Sequence, residues 1–471
     1  MQGCEPVVQM IENRTLAELT VGEAAEVVRV LSQHDIDLFA VMSGDVNPQH
    51  LDAAYAAATQ FHHIIAHGMW GGALISAVLG TELPGPGTIY LGQSLRFCRP
   101  VGLGDAITVK VTVKSKDMET GKVILDCLCL NQKGEAVITG EAEVLAPRDK
   151  ISRLASVLPE VRLNTPGAQL RLLIAAAAKL PLLTTAVVHP CDDLSLLGAL
   201  EARDAGIIVP LLVGPRPRIE ALAAKLHVSL DGVEIIDAPH SHAAAEAAVA
   251  LVRAGRAGAL MKGKLHTDEL LAAVLDRTLG LRTERRLSHI YVLDVPDRAR
   301  LLFITDGAIN IAPDLAALRD IVQNAIDLCR ALGLDLPRVA LLSAVETVTG
   351  SLPSTLLAAA ICKMHDRGQI TGGLVDGPLA YDNAISVAAA VAKGIVSDVA
   401  GRADVLVAPN LESGNMIAKQ LIHLGGAEAA GIALGARVPI MLTSRSDSAT
   451  ARLASAAIAR LYAAHQPVKA G

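Results

Sequence analysis

The sequence predicts an α+β domain followed by a two-lobed α/β domain with mostly parallel sheets. The first 150 residues contain one apolar helical run and several segments that alternate between apolar and polar residues, which is typical of an antiparallel sheet. Beyond residue 166, short apolar runs alternate with helical stretches, as parallel strands buried on both faces require. At 471 residues the chain is also too long for one core of about 150 residues.

The stretch Ser43 to His50 is the most informative part of the first domain. Asn47 is a good N-cap and Pro48 suits the first helical position, so a helix is predicted over 49–59. Asp45 then stays in the preceding turn, and His50 lies in the first helical turn, where the helix dipole favours a neutral imidazole. An i, i+3, i+4, i+7 pattern assigns the core face of this helix to Leu51, Ala54, Tyr55 and Ala58.

This arrangement of a carboxylate and an imidazole predicts an acid/base site. The alternative from the short motif is that Asn47 and Pro48 only start a helix, while Asp45 and His50 are solvated. The sequence that follows favours the first interpretation.

Residues 67–80 form an almost wholly apolar run that ends at Gly80, with Pro84 just beyond it. It predicts a buried helix, because it is shorter than the ~20 apolar residues that a membrane span needs. Four predicted strands follow it, over 89–97, 106–114, 122–131 and 136–145. One helix wrapped by a curved antiparallel sheet is the hot-dog arrangement.

The motifs of this region resemble the MaoC-like (R)-specific enoyl-CoA hydratases. The matching segments are Gly44-Asp45-Val46-Asn47-Pro48-Gln49-His50, His67-Gly68-Met69 and Tyr90-Leu91-Gly92-Gln93-Ser94-Leu95-Arg96-Phe97. The resemblance implies that Asp45 and His50 hold and activate water, and that the backbone N–H of Gly68 binds the thioester oxygen. It also implies that Asn47 and Ser76 contact the substrate.

The alternating strands stop at Ala146-Pro147-Arg148-Asp149-Lys150. The predicted organisation is a hydratase domain over 1–150, a linker over 151–165 and a second domain over 166–471. The predicted strands of the second domain are 182–189, 207–213, 233–237, 259–262, 300–305, 339–343, 405–408 and 438–442.

Three loops of the second domain follow predicted strands, where an α/β fold forms its ligand cleft. They are 375–382, with Asp376, then 409–415, with Gly414 and Asn415, and 439–448. The third loop combines hydroxyl groups, Arg445 and a helix start, which are the components of a phosphate site. The alternative is that Ser446 or Asp447 only caps the last helix and Arg445 is solvated.

Together these loops resemble the phosphate acetyl/butyryltransferase family over nearly all of 170–465. Further matches are Met261-Lys262-Gly263, Leu287-Ser288-His289, Ala400-Gly401-Arg402-Ala403-Asp404 and Leu434-Gly435-Ala436. The resemblance implies an active-site pair of Ser444 and Arg445, with Arg445 holding phosphate. The form of Thr443 to Ser448 is more similar to the butyryl branch. Ala451 stands where acetyl-type members have an aspartate thought to help deprotonate coenzyme A, so Asp447 is the best local candidate for that base.

Composition excludes several other classes. A net charge of −6 and only 2% aromatic residues argue against a nucleic-acid partner. Neither a signal peptide nor an 18-residue apolar span is recognised in the sequence. The seven cysteines include no CxxC motif, which fits a reducing compartment. A cytoplasmic protein without a membrane partner is therefore expected. His63 and His67 lack the glutamate of HExxH, and Leu265 replaces the hydroxyl residue of a P-loop, so neither a metal site nor a nucleotide site is predicted.

The predicted protein is a bifunctional acyl-CoA enzyme without a tightly bound cofactor. It hydrates an enoyl-CoA to an (R)-3-hydroxyacyl-CoA and exchanges coenzyme A for phosphate on an acyl group. Both resemblances imply a homo-oligomer. Two alternatives stay open: one domain is inactive and serves as an acyl-CoA-binding or assembly module, or the hot-dog domain is an acyl-CoA thioesterase.

Overall fold

The computed structural model describes residues 10–156, 158–159, 161, 163, 167–442 and 448–466. The chain divides into two compact units, Met1–Leu163 and Asn164–Gly471. Within these described ranges, no helix has the length and apolar character needed to cross a membrane.

The first unit is built on a five-stranded antiparallel sheet with the strand order β2-β4-β5-β6-β3. A separate antiparallel pair joins β1 to β7. The strands are β1 (Met10–Glu12), β2 (Ala24–Val30), β3 (Ile89–Phe97), β4 (Ala106–Lys116), β5 (Lys122–Leu130), β6 (Ala136–Leu145) and β7 (Ser152–Leu154). The helices are α1 (Gln33–Ser43), α2 (Pro48–Leu51), α3 (Ala53–Ala58) and α4 (Gly68–Thr81).

The alternating strand pattern is confirmed in β4, where Ile107, Val109, Val111 and Val113 are each no more than 1% exposed. Their side chains join those of Cys127 and Cys129 from β5 in one core. The two cysteines are therefore core residues, as predicted. The predicted ranges of β3 and β6 match the observed ranges at both ends.

The apolar helix α4 is buried on one face, so the prediction of a buried helix is confirmed for that face only. Trp70, Ile75, Val78 and Leu79 pack into the core. The opposite face is exposed and contains Met69, Ala73, Ser76, Ala77 and Gly80. An apolar sequence on both faces of a helix therefore does not mean burial within one unit.

The predicted helix over 49–59 is wrong, because the backbone breaks at Asp52 into α2 and α3. Asp52 is extended, with φ −112° and ψ 105°, and its carboxylate accepts bonds from Ala54 N and Tyr55 N at 2.9 and 3.0 Å. These bonds cap a new helix. The predicted core face is wrong as well, since Leu51 and Tyr55 are 37% and 50% exposed and only Ala56 of this segment is buried.

The second unit contains an eleven-stranded mixed sheet with helices packed against it. Its strands are β8 (Leu183–Val188), β9 (Ile208–Gly214), β10 (Glu234–Asp237), β11 (Ala259–Lys262), β12 (Ser288–Asp294), β13 (Leu302–Thr305), β14 (Arg338–Leu342), β15 (Leu374–Leu379), β16 (Val405–Val407), β17 (Glu428–Leu434) and β18 (Ile440–Met441). Its helices are α5 (Ala168–Ala177), α6 (Asp193–Asp204), α7 (Arg216–Leu226), α8 (Ser241–Arg253), α9 (Thr267–Val274), α10 (Leu315–Ala331), α11 (Pro353–Asp366), α12 (Tyr381–Ile385), α13 (Val387–Ala392), α14 (Leu411–His423) and α15 (Ala449–His465).

The strand order is β10-β9-β8-β11-β18-β17-β12-β13-β16-β14-β15. Two parallel groups, β10-β9-β8-β11-β18 and β13-β16-β14-β15, lie on either side of β17 and β12, which make the antiparallel pairings. The sheet is thus mostly parallel, as predicted.

All eight predicted strands of this unit exist, within a few residues of their predicted ends. The apolar candidate for a P-loop is largely strand β11, which also agrees with the prediction. The antiparallel centre, β12 and β17, was not among the predicted strands. The predicted loop 375–382 is also corrected: Asp376 lies inside β15, which continues to Leu379.

Candidate functional sites

The first unit contains a cavity of about 360 Å³ beside the N-terminus of α4. His50, His67 and Gly68 lie on its wall, which also includes the polar residues Cys98 and Arg99. The rest of the wall is mainly apolar and includes Trp70, Phe97 and Ile138. An apolar cavity with a few converging polar groups is the usual form of a small-molecule site.

His50 lies on this wall with one ring nitrogen already engaged. Its Nδ1 is 2.8 Å from the carbonyl oxygen of Ile65. Because a carbonyl only accepts, Nδ1 must carry a proton, and in the neutral imidazole the Nε2 lone pair is then available as a proton acceptor. The backbone of Ile65 therefore fixes the tautomer of His50. The predicted effect of the helix dipole concerns the charge of the ring and stays a prediction, and the helix that carries His50, α2, has only four residues.

Asp45 is exposed in the turn between α1 and α2, as predicted. Its backbone N donates to Ser43 Oγ at 3.2 Å, and its Oδ1 accepts from Asn47 N at 3.2 Å. Asn47 caps α2, with its Oδ1 accepting from Gln49 N at 3.1 Å. Every described contact of Asn47 is thus internal to the turn, and its contact with substrate stays a prediction.

His67 completes a group of three side chains at the cavity. A ligand atom of each of Asp45, His50 and His67 lies within 4.8 Å of the other two. The structure therefore brings Asp45 and His50 together as predicted and adds His67, which sequence reasoning used only as part of a motif. Such a trio has the ligand types to hold a metal ion, so the predicted absence of a metal site stays a prediction.

Gly68 is the first residue of α4. The first N–H groups of a helix have no acceptor within it, so this one is available for an oxygen at the cavity. A Cβ built on Gly68 would lie 3.2 Å from the ring of Phe97, which leaves little room for a larger residue. Ser76 is not brought to this wall: it lies on the exposed face of α4, about 12 Å farther along the helix axis.

In the second unit, Gly414 and Asn415 of α14 lie against the turn that follows β13. The Nδ2 of Asn415 donates to Gly307 O at 3.0 Å. A Cβ on Gly414 would lie 2.4 Å from Asp306 O, so only glycine permits this close approach. The structure thus joins two predicted site residues to Asp306, which the sequence analysis did not select.

Asp306 is only 2% exposed and organises the turn. Its carboxylate accepts bonds from the backbone N of Ala308, Ile309 and Asn310 at 2.9, 3.0 and 3.1 Å. A Cβ on Gly307 would lie 2.7 Å from the ring of Tyr291. The turn therefore folds back over β12, next to Tyr291.

His289 lies beside Tyr291 on the same face of β12, with ring centroids 4.5 Å apart. It is 2% exposed, and its Nδ1 has no hydrogen-bond partner among the described residues. Burial lowers the pKa of His289 to about 4, and the charge of Asp306 acts in the opposite direction. His289 was noted in the sequence only within a family match, because a buried strand gives no local sign of chemistry.

The end of β18 reaches the same place. A Cβ on Gly431 would lie 2.8 Å from Leu442 O and 3.0 Å from His289 Nε2. Leu442, the last described residue before the segment 443–447, therefore lies close to His289. Ser444, Arg445 and Asp447 belong to that segment and lie outside the described residues.

The last helix, α15, is capped by Ser448, whose Oγ accepts from Ala451 N at 3.1 Å. The alternative in which Ser446 or Asp447 caps this helix is therefore wrong.

Asp376 is not brought to the Asp306 turn. It lies on β15, which is three strands from β13, or about 14 Å across the sheet. The Oδ1 of Asp376 accepts from Gly377 N at 2.8 Å.

Two family models match the chain. The phosphate acetyl/butaryl transferase model matches residues 239–460, and the MaoC like domain model matches residues 17–125. A phosphate acetyltransferase of Rhizobium meliloti is 60% identical over 296 residues, which cover 63% of this chain and 93% of that protein.

Solved structures resemble each part. A branched-chain phosphotransacylase from Enterococcus faecalis is 30% identical, with a TM-score of 0.53, over 60% of this chain and 100% of that one. An R-hydratase from Pseudomonas aeruginosa in its unliganded form is 50% identical, with a TM-score of 0.32, over 33% of this chain and 100% of that one.

Proposed function

The chain belongs to the phosphate acetyl/butyryltransferase family and carries a MaoC-like domain before that part, and from this premise we propose that it catalyses two reactions on acyl-CoA thioesters. The second unit exchanges coenzyme A for phosphate. The first unit adds water to an enoyl-CoA and forms an (R)-3-hydroxyacyl-CoA. Acyl-CoA thioesters and phosphate are the proposed substrates, and no tightly bound cofactor is proposed.

In the acyl transfer, a phosphate oxygen attacks the thioester carbonyl, the carbon–sulfur bond breaks, and the leaving thiolate takes up a proton. The products are an acyl phosphate and coenzyme A. Support comes from the 60% identical phosphate acetyltransferase and from the contacts that bring Asp306, Gly414 and Asn415 together at the end of β13. The proposed role of Arg445 is to hold phosphate with two parallel hydrogen bonds, with Ser444 beside it and Asp447 as the candidate base.

The name of that relative does not favour the butyryl branch, which Thr443 to Ser448 resembles. The proposal therefore covers short acyl groups, and acetyl-CoA is the first substrate to test. Butyryl-CoA is the matched second substrate.

The hydration proposal rests on one observation: the 2.8 Å contact between His50 Nδ1 and Ile65 O leaves Nε2 as the free base at the cavity wall. Asp45 accepts a hydrogen bond from the water and orients it. Nε2 takes one proton as the water oxygen bonds to C3, and the negative charge moves to the thioester oxygen near Gly68 N–H. His50 then returns the proton to C2, so that one water molecule is added in total.

One experiment tests both activities on the full chain. Acetyl-CoA, butyryl-CoA and crotonyl-CoA are incubated with and without phosphate, while free thiol and the absorbance of the conjugated enoyl thioester are followed. The proposal expects phosphate-dependent thiol release and phosphate-independent loss of the enoyl absorbance, with an (R)-3-hydroxy product. Thiol release without phosphate would instead support the thioesterase alternative. Loss of one signal alone would show that the corresponding unit is an acyl-CoA-binding or assembly module.

We also propose a homo-oligomer. The exposed face of α4 carries Met69 at 55% exposure, and the edge strand β3 exposes Ile89, Leu91 and Phe97 at 58%, 45% and 52%. Apolar side chains clustered on one helix face and a neighbouring sheet edge favour association. Light scattering of the full chain tests this proposal, and a monomer at micromolar concentration would contradict it.

A further inference from the structure

His67 lies at a junction between the two proposed catalytic groups of the first unit. It immediately precedes α4, at the N-cap position, but its side chain makes no capping bond to that helix. Instead, its Nε2 lies 3.0 Å from the carbonyl oxygen of Asp45, 22 residues earlier in the chain. Its side chain therefore bonds to the Asp45 turn and does not cap α4.

This contact fixes the tautomer of His67. A carbonyl oxygen only accepts, so Nε2 carries the proton and donates it to Asp45 O. His67 Nδ1 is buried and has no hydrogen-bond partner among the described residues. His67 is 2% exposed, so the single directed bond of its ring is the one that holds the backbone of Asp45.

That bond matters because it is a long-range bond that reaches Asp45 itself. The bonds from Gln49 Nε2 to His63 O at 3.1 Å and from His50 Nδ1 to Ile65 O at 2.8 Å hold the α2 side of the turn. The bonds of Asp45 to Ser43 and Asn47 are both within two residues and move with the turn itself. Asp45 is exposed, and the preceding Gly44 adopts a left-handed φ of 74°. The bond from His67 is thus a long-range restraint that connects the exposed catalytic turn to the start of the buried helix.

The same ring also restrains His50. The two imidazoles are 4.0 Å apart between centroids, with planes tilted by 33°, and the ring of Phe39 lies 4.9 Å from that of His67. The bond to Ile65 fixes one atom of the His50 ring, and contact with the face of His67 limits its rotation. One residue therefore restrains both the backbone of the carboxylate and the plane of the base.

We propose that His67 is a positioning residue for hydration, acting through its Nε2–H bond to Asp45 O and its contact with the face of His50. This inference rests on the proposed hydratase function of the same cavity. His67 itself exchanges no proton with the substrate. Misplacement of reacting groups by about 1 Å costs on the order of 100-fold in rate, so a loss of that size is expected when the bond is removed.

The test uses the full chain with His67→Leu, which fills a similar volume without a donor, and His67→Gln, whose side-chain amide reaches the Nε2 position. His67→Asn, whose amide reaches only the Nδ1 position, and the exposed His34→Leu are the controls. In His67→Leu and His67→Asn, kcat for crotonyl-CoA hydration should fall about 100-fold while KM changes less than about threefold. His67→Gln should recover most of kcat, and His34→Leu should match the wild type.

Two further measurements separate positioning from other roles. Phosphate-dependent thiol release by the second unit of each variant should stay unchanged. His67→Gln should keep the pH dependence of hydration seen in the wild type. If His67 exchanged protons with the substrate, its replacement would remove one limb of the pH–rate profile.

The inference is overturned if His67→Leu keeps near-wild-type kcat, if His67→Gln loses as much activity as His67→Asn, or if His67→Gln loses a limb of the pH profile. Should His67→Leu fail to fold, the comparison of the glutamine and asparagine variants decides in the same way. A wild-type chain without hydratase activity would overturn the proposed function itself, which is a different result from any of these.

Discussion

The imidazole rings of His50 and His67 lie against each other, with centroids 4.0 Å apart, although the break at Asp52, helix α3 and the segment 59–66 separate the two residues in sequence. One ring is bonded through Nδ1 to Ile65 O and the other through Nε2 to Asp45 O. Opposite nitrogens are therefore committed to the backbone in the two rings. The ring whose Nε2 stays free is the one that we assign as the base.

The first prediction concerns His50 and Asp45. His50→Ala and Asp45→Asn should each lower hydration by about 10² to 10⁴, the usual contribution of a general acid or base. Phosphate-dependent thiol release should be unchanged, because the two units have separate cores. The measurement is the rate of loss of crotonyl-CoA, with the exposed His34→Ala as the control. Near-full hydration by His50→Ala would refute the assignment.

The second prediction concerns Gly68. In Gly68→Ala the new Cβ would lie 3.2 Å from the ring of Phe97, so either this ring or the start of α4 must shift. Hydration should fall at least about tenfold, because the N–H that faces the thioester oxygen moves with the helix start. Gly80→Ala in the same helix is the matched control, since its Cβ would meet no atom within 4 Å. That variant should keep its activity, and helix propensity favours alanine there by roughly 1 kcal/mol.

The sequence predicted the elements whose patterns are local. β3 and β6 match at both ends because antiparallel strands with one buried face alternate along their whole length. β12 and β17 were not predicted: both are almost wholly buried, and the alanines and glycine of β17 are equally typical of a helix or a loop. β12 begins with Ser288 and His289 and ends at Asp294, so it lacks the continuous apolar run by which the other buried strands were predicted.

The same distinction applies to the sites. Asp45 and His50 could be found because a short motif contains both. His67, Asp306 and His289 could not, since their importance comes from partners far away in sequence, such as Asp45 for His67 and Gly414 for Asp306. The break at Asp52 was missed because an aspartate within an apolar helical pattern looks like a solvated residue until its carboxylate is seen to cap the next helix.

The third prediction concerns Arg445. Arg445→Lys keeps the charge but removes the two parallel donors that match a phosphate group. The KM for phosphate should rise, kcat should fall, or both, while hydration by the first unit stays unchanged. Initial rates of thiol release at varied phosphate measure this, with the exposed Arg437→Lys as the control. Unchanged phosphate kinetics would show that Arg445 does not bind phosphate.

The fourth prediction concerns the pH dependence of stability. The pKa of the buried His289 is lowered to about 4, whereas in the unfolded chain it returns to about 6.5. Between these values the unfolded state binds a proton that the folded state does not. Above about pH 6.5 the ring is neutral in both states and has no effect on the pH dependence. The free energy of unfolding then falls as the pH drops from about 6.5 toward about 4, by roughly 3 kcal/mol in total.

The measurement for His289 is thermal inactivation of phosphate-dependent thiol release by the full chain at pH 7 and pH 5. His289→Leu should lose less thermal stability than the wild type over this range, whatever its absolute stability. His423→Leu, which replaces an exposed histidine of the same unit, should follow the wild type. Equal pH dependence of the wild type and His289→Leu would contradict the prediction.

The last prediction is that the chain can be divided between its two units without loss of either activity. The division at 163/164 falls close to the end of the linker expected over 151–165. Every residue of the hydratase core lies between Leu16 and Ala146, and the core clusters of the second unit begin at Leu170. Because each fragment keeps its own complete core, fragments 1–163 and 164–471 should each fold alone. Each should then match the full chain in its single-step assay.

The coupled conversion of enoyl-CoA to a hydroxyacyl phosphate should be slower with the separated fragments than with the full chain only at low enzyme concentration. Tethering in the full chain raises the local concentration of the second site. An insoluble fragment, or one that regains activity only when the other is added, would show that one unit completes the core or the site of its neighbour.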